Sequence, residues 1–483
     1  MKRLLKTTFK RFYLSEQGSA MPLIGFGIFV MVGSAGIAID MGRVQIAQSR
    51  MSSALDAAGL AAGSNANTVN LNQEVTKYFN ANYPPNYMGS QVTSLSVTGN
   101  PDLSRLTLNS QGVVPMTLMK VFGIESMPIQ ANSEITRATS GLEVVLVMDV
   151  TGSMGESAGG GQTKIQAARA AATTLVNLLY GSRETVPDLW VGMVPFSQAV
   201  NIGNTRANWT QPDTHLWPPA SPWAGCVQAR ELANEDTTDT PPSAPVGGGP
   251  DLHFPKYYWG CHTSRNAWHG TNATSYNNCQ TTPSASLRFR SGLGVSLGPN
   301  RDCPQAVLPL TSSKTTVLNS ISTLQPRGNT LINIGMVWGW RMLSPRWRGL
   351  WGGEMNTNDL PLDYDAPLMN KAVVLMTDGD NVITNTGRGA YGYLEEGRLG
   401  TTNQSTAETR LDQRMTQVCT SMKNNGIIVY TVALGTTIST ATRNLLRNCA
   451  TRPEYYFFSP TGTDLQNSFR MIGDSLANLR VSR

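Results

Sequence analysis

The run GSAMPLIGFGIFVMVGSAGIAI, Gly18 to Ile39, constrains this chain more than any other feature, because it holds 22 residues without a charge. As a helix it is roughly 33 Å long, enough to cross the hydrocarbon core of a bilayer. The eleven residues that open the chain, MKRLLKTTFKR, hold five Lys or Arg and no acid. Basic flanks stay on the cytoplasmic side. The expected topology therefore has a cytoplasmic tail at 1–17, a transmembrane helix at 18–39 and the bulk of the chain outside. A cleaved signal sequence has a shorter apolar region and a small-residue cleavage site. No such site precedes Asp40, so an uncleaved anchor is expected.

Beyond the anchor, DMGRVQIAQSRMSSALDAAGLAAGS repeats small and apolar residues at helical spacing, and the membrane helix is expected to continue outward. A helix-like QEVTKYFNANY and the alternating segments QVTSLSVTGN, RLTLNSQGVV and MPIQANSEITRA follow. Residues 40–140 thus read as a small α+β stalk. From Glu143 onward, apolar strands alternate with helices: LEVVLVMDV, KIQAARAAATTLVNLLYG, DLWVGMVPF, KAVVLMTDG, TRLDQRMTQVCTSMKNNG, IIVYTVALG. That alternation predicts a doubly wound α/β unit over 141–483 with a mostly parallel sheet.

Residues 201–315 break the alternation. They hold five of the ten tryptophans (Trp209, Trp217, Trp223, Trp259 and Trp268), four of the six cysteines and all four histidines. So long a structureless run is improbable inside a compact domain, and it reads as a disulfide-stapled insertion on one edge of the sheet. Its tryptophans suit either a recognition surface or a satellite core. All six cysteines (Cys226, Cys261, Cys279, Cys303, Cys419 and Cys449) lie beyond the apolar segment. An even number in an exported chain predicts three disulfides. Cys419 and Cys449 belong to helices on either side of the strand IIVYTVALG and are expected to pair; the other four are expected to pair within the insertion, in any of three ways.

In open α/β sheets, sites gather at the carboxyl ends of the strands. Asp149 stands at that end of LEVVLVMD and Asp378 at that end of VVLMTD. Within DVTGSM, Asp149, Thr151 and Ser153 occupy alternate positions, and alternate side chains of an extended segment point the same way. A carboxylate and two hydroxyls aimed at one point suit a hard divalent cation.

VLVMDVTGSM, GNTLINIG and VVLMTDG, in that order, resemble the three metal-site motifs of von Willebrand factor A domains. The resemblance implies a metal-ion-dependent adhesion site that holds Mg2+ or another divalent cation. Its ligands would be Asp149, Thr151 and Ser153 from the first motif, Thr330 from the second and Asp378 from the third. Thr151 stands where the family usually has serine and keeps the ligand oxygen. The stretch EQGSAMPLIGFGIFVMVGSAGIAIDMGRVQIAQSRMSSALDAAGLAAGS is similar to the start of TadG-type proteins of the tight-adherence (Flp) pilus machinery. The resembling residues are the Asp40–Arg43 exit and the LDAAGLAAG run. Prepilins processed after glycine carry glutamate at the fifth mature position, where this chain has Leu23, so Gly18 is expected to remain unprocessed. The resemblance implies a single-pass inner-membrane protein with its bulk in the periplasm and other tight-adherence proteins as partners. An alternative is a surface adhesin or receptor that binds an external ligand directly through the metal.

Other classes are disfavoured. Beyond the first eleven residues the basic residues are scattered, and the net charge is only +6, which leaves no nucleic-acid footprint. TGSMG lacks the first glycine of a nucleophile elbow, and no histidine lies in the sheet region to activate Ser153, so no enzyme is expected. Cys261, His262 and His269 have no paired zinc-ligand spacing.

Overall fold

The computed structural model describes residues 21–64, 71–99, 105–136, 140–213, 215, 217–230, 236–245, 249–260 and 294–481. The chain divides into two compact units, Met1–Ala138 and Thr139–Arg483.

In the first unit, one unbroken helix, α1 (Met21–Ser64), runs out of the apolar segment into the folded part. Its amino-terminal portion is exposed and apolar, and Met21–Ala62 is, among the described residues, the single helix long and apolar enough to cross a membrane. This supports a single-pass membrane anchor. The carboxyl-terminal portion turns one stripe inward, with Val44, Ala47, Met51, Ala54, Leu55, Ala58 and Ala62 buried at three- and four-residue intervals. They pack with Val75 and Phe79 of α2 (Leu71–Asn82) against an antiparallel sheet. That sheet has the order β1 (Gln91–Gly99), β2 (Arg105–Pro115), β3 (Ser126–Thr136). In β2, Leu106, Leu108 and Val114 face the helix, as strand alternation requires.

The second unit is built on an eight-stranded sheet. Its strands are β4 (Gly141–Asp149), β5 (Leu189–Phe196), β6 (Val200–Asn201), β7 (Cys226–Val227), β8 (Leu308–Thr311), β9 (Met369–Thr377), β10 (Ile428–Leu434) and β11 (Tyr456–Ser459), in the order β11-β10-β9-β4-β5-β6-β7 with β8 also on β5. The five long-range neighbours β11, β10, β9, β4 and β5 are parallel. Every residue of β4 is buried. Its even positions Leu142, Val144, Leu146 and Met148 join one core, and Val145 and Val147 join the core on the other face. Being covered on both faces explains why this strand reads as a continuous apolar run instead of an alternating one. One face carries α3 (Lys164–Tyr180), α4 (Lys314–Ser322) and α8 (Gly462–Val481); the other carries α5 (Ile332–Leu343), α6 (Gln404–Asn424) and α7 (Thr440–Cys449). The Rossmann-like α/β architecture agrees with the sequence reading.

The insertion differs from expectation in one respect. It supplies β7 and, in its last part, β8, which runs antiparallel to β5, so the sheet itself extends into 201–315. Trp209, Trp223 and Trp259 are buried. Trp209 packs edge-on against Trp347 and Trp351, with centroids 5.2 and 5.1 Å apart, so these tryptophans form core and not a recognition surface. Trp217 is partly buried against the same core. Among the described residues, two disulfides join Cys226 to Cys303 and Cys419 to Cys449. Cys261, Cys279, His262, His269 and Trp268 lie outside the described residues.

Candidate metal site

β4 and β9 are parallel neighbours in register, Met148 opposite Met376, so Asp149 and Asp378 emerge at the same end of adjacent strands. Asp149 is fully buried. Its Oδ1 accepts from the Thr151 amide at 2.8 Å and its Oδ2 from the Thr377 hydroxyl at 2.6 Å. Thr151 keeps an extended backbone, but Gly152–Gly155 forms a 3-10 turn. Ser153 therefore does not reach the site by strand alternation, as the sequence suggested. The turn instead brings Ser153 Oγ within 3.0 Å of Thr151 Oγ1, and Ser153 donates to Asp378 Oδ1 at 2.7 Å.

Thr330 lies in the loop that leads into α5. The Gly152 amide donates to the Gly328 carbonyl at 2.9 Å, and the Arg327 amide donates to the Val150 carbonyl at 2.7 Å. The third-motif loop is tied to the same place by Val382 N–H donating to the Thr330 carbonyl at 2.8 Å. A Cβ added to Gly379 would stand 3.8 Å from Thr330 Oγ1 and 4.0 Å from Ser153 Oγ. The glycine after Asp378 therefore leaves open a space lined by hydroxyls of the first and second motifs. The insertion buttresses this loop: Gln198 Oε1 accepts from the Asn329 amide at 2.9 Å while Gln198 Nε2 donates to Tyr257 at 3.0 Å. Arg327 also donates to the Cys303 carbonyl at 3.2 Å.

Burial, and then the neighbouring Asp378 carboxylate, push the Asp149 carboxyl from 3.8 up to about 7, against the hydrogen bonds from Thr377 and Thr151. A buried pair of carboxylates needs positive charge. Part of it comes from Lys164, at the first turn of α3, whose ammonium donates to Asp378 Oδ2 at 2.9 Å and to Glu156 Oε2 at 2.8 Å. Burial works to lower the Lys164 pKa, but these two carboxylates outweigh it and hold the ammonium above its usual range. Lys164 and Thr377 were not singled out from the sequence. A lysine opening a helix, against the positive end of the helix dipole, is the signal that Lys164 has an acidic partner.

The donor set fits a hard cation: two carboxylates and three hydroxyls, all oxygen. Among the described residues no group of three or more His, Cys, Asp or Glu is arranged to hold a metal. Among the described residues Ser153 has no imidazole partner, and His215 and His253 bond to Asp213 and Asp251 in the insertion.

Residues 18–65 match the Tad family, described as Flp pilus-assembly TadE/G-like. No curated protein matches the chain. The likeness to solved structures is weak. The pilus adhesin SpaC from Lactobacillus rhamnosus GG aligns at 10% identity and a TM-score of 0.34, covering 80% of this chain and 34% of that one. The vWF domain of the type V pili tip protein Mfa5 from Porphyromonas gingivalis aligns at 12% identity and 0.35, covering 71% and 97%. A variant of the PilB minor pilin from Streptococcus sanguinis aligns at 12% and 0.34, covering 82% and 80%. The chain thus spans about a third of the adhesin's length (34%). What these comparisons establish is a TadE/G-like segment at 18–65, carried on the membrane-length helix ahead of the α/β unit.

Proposed function

We propose that this protein is a single-pass inner-membrane component of a tight-adherence (Flp) pilus machinery that binds partner proteins through a divalent cation. Its amino terminus would be cytoplasmic and its bulk periplasmic. The observation that carries the binding site is the convergence of Asp149, Thr151, Ser153 and Asp378 in one hydrogen-bonded cluster, with Thr330 Oγ1 facing the same space at Gly379. Those five residues would hold the ion, Mg2+ by the hardness of the donors. Bound there, it would supply an electrophilic centre for an acidic group of the partner. The TadE/G-like match at 18–65 supports the pilus-assembly context.

Asp149→Ala is the direct test. Asp149 ends its strand, and its replacement removes a charge that the hydroxyls cannot replace. Calorimetric titration should show magnesium binding to the unaltered protein and none to the variant. Pull-down of tight-adherence proteins should fail equally with the variant and with chelator. Partner capture that persists in chelator overturns the metal-dependent reading. Metal-dependent capture of a matrix or glycan target, with no pilus component bound, would favour a surface adhesin.

A further inference from the structure

The connection between β2 and β3, residues 116–125, carries apolar side chains that the protein leaves uncovered. Leu118 is 41% exposed, Val121 80%, Phe122 50% and Ile124 39%. The loop runs back along α1. Phe122 meets Phe29 edge to face with centroids 6.3 Å apart. A Cβ on Gly33 would lie 3.3 Å from the Phe122 ring, and one on Gly36 would lie 3.0 Å from Leu118 Cβ, so both glycines admit the loop against the helix.

Asp40 fastens the loop. Its fully buried Oδ2 accepts from three successive amides, Thr117 at 3.0 Å, Leu118 at 2.7 Å and Met119 at 2.8 Å. Arg43 adds bonds to Thr117 Oγ1 at 2.5 Å and to the Met88 carbonyl at 2.9 Å. Eleven residues of helix separate Asp40 from Phe29, or about 16 Å along the axis. That is about half of a hydrocarbon core.

We infer that the β2–β3 loop is a second membrane element, which inserts Leu118, Val121, Phe122 and Ile124 into the leaflet on the side of the folded unit. The occupant of this apolar surface is lipid, because the surface is continuous with the exposed apolar face of the membrane-length helix. Backbone inserted in lipid must satisfy its own polar groups. Much of this loop's backbone is satisfied in that way. Asp40 takes the amides of residues 117–119, Val121 and Gly123 donate to Leu118 and Lys120 carbonyls, Ile124 to Met119 and Met116 to Glu125. Lys120 is exposed and long enough to carry its ammonium back to the interface. The Asp40 carboxylate thereby acts as a structural clasp between anchor and loop.

The inference rests on α1 crossing a bilayer, and the test separates the two. Val121→Cys, Met31→Cys and Val92→Cys variants of the full chain are labelled under non-reducing conditions with a polarity-sensitive fluorophore, the unsubstituted chain giving the background. They are then reconstituted in phosphatidylcholine nanodiscs. Doxyl-labelled phosphatidylcholine quenches from within the bilayer, and iodide quenches from water. The label at 121 should follow that at 31, with at least twofold quenching by doxyl lipid and little by iodide, while the label at 92 shows the reverse. If 31 is quenched by lipid and 121 by iodide, the loop lies in water and the inference falls while the anchor stands. A label at 121 quenched by neither is covered by protein and also overturns it. If 31 is not quenched by lipid, the anchor itself is wrong and the inference falls with it.

Discussion

Lys164 is the residue that decides how strongly the strand-end cluster can attract a cation. Its ammonium already sits on Asp378 and Glu156, so it cancels part of the negative charge that the cluster would offer a cation. On the proposed reading, Lys164→Met keeps much of the stem and removes a repulsive charge from the ion. Magnesium affinity should rise at least about tenfold, on the order of 1.4 kcal/mol. Calorimetry on both proteins checks it, and unchanged or weaker binding would mean that Lys164 helps to build the site. Asp149 carries a pH signature. Its carboxyl is raised from 3.8 to about 7 by burial and by Asp378, so the folded state favours the protonated form. The sign follows: this group's contribution to stability is complete below about pH 4 and is lost as pH climbs through about 7. In chelator, the urea midpoint should fall across that window. Asp149→Asn should flatten the fall, and saturating magnesium should reverse it. A midpoint that rises between pH 4 and 7 in chelator, with the same slope in Asp149→Asn, would show that Asp149 is not the group concerned.

The element that made the site legible is β4. An apolar run covered on both faces, ending in an acid, can be read without a structure, and so can its partner β9. What the sequence could not convey is how the elements meet. The Ser153 turn has 3-10 geometry, and Lys164 reaches Asp378 across 214 positions of chain, a pairing that only the fold creates. β8 escaped notice because four residues at a sheet edge, two of them only partly buried, carry no period. The same two strands hold a second device at their opposite ends. Glu143 and Lys371 are directly opposed in register, both buried, and bond to each other, with Glu143 Oε1 also accepting from the Leu362 amide at 2.7 Å. Burial raises the Glu143 pKa and lowers that of Lys371, each against the attraction of its partner. Lys371→Met alone strands a buried carboxylate and should cost about 3–5 kcal/mol. Glu143→Leu combined with Lys371→Met should recover most of that loss. Denaturant titration of the single and double variants measures it, and a single variant as stable as the parent would show that water reaches Glu143.

At the scale of the whole molecule, the insertion ties the far edge of the sheet to the second motif, and its disulfide has a different task from the other one. Cys226–Cys303 closes 77 positions and Cys419–Cys449 closes 30. Chain entropy alone assigns about 4.5 kcal/mol to the longer loop and about 3.6 to the shorter. That ordering presumes that each loop opens with the whole domain. Cys419–Cys449 joins two helices packed on the central core, α6 and α7, and should behave so. Cys226–Cys303 holds an edge segment, and stability is not uniform across a structure. Cys303 also offers its carbonyl to Arg327, three residues before Thr330, while Tyr257 of the same segment supports Gln198 beneath Asn329. Replacing Cys226 and Cys303 with serine should therefore move the main thermal transition less than replacing Cys419 and Cys449, yet, on the proposed reading, weaken magnesium binding more. The tryptophans offer the local readout, because loosening the segment exposes Trp209 and Trp259, whose emission should shift to the red below the main transition. Equal metal affinity in the two double variants would mean that the Thr330 loop holds its place without the Cys226–Cys303 bond, through its bonds to Val150, Gly152 and Val382.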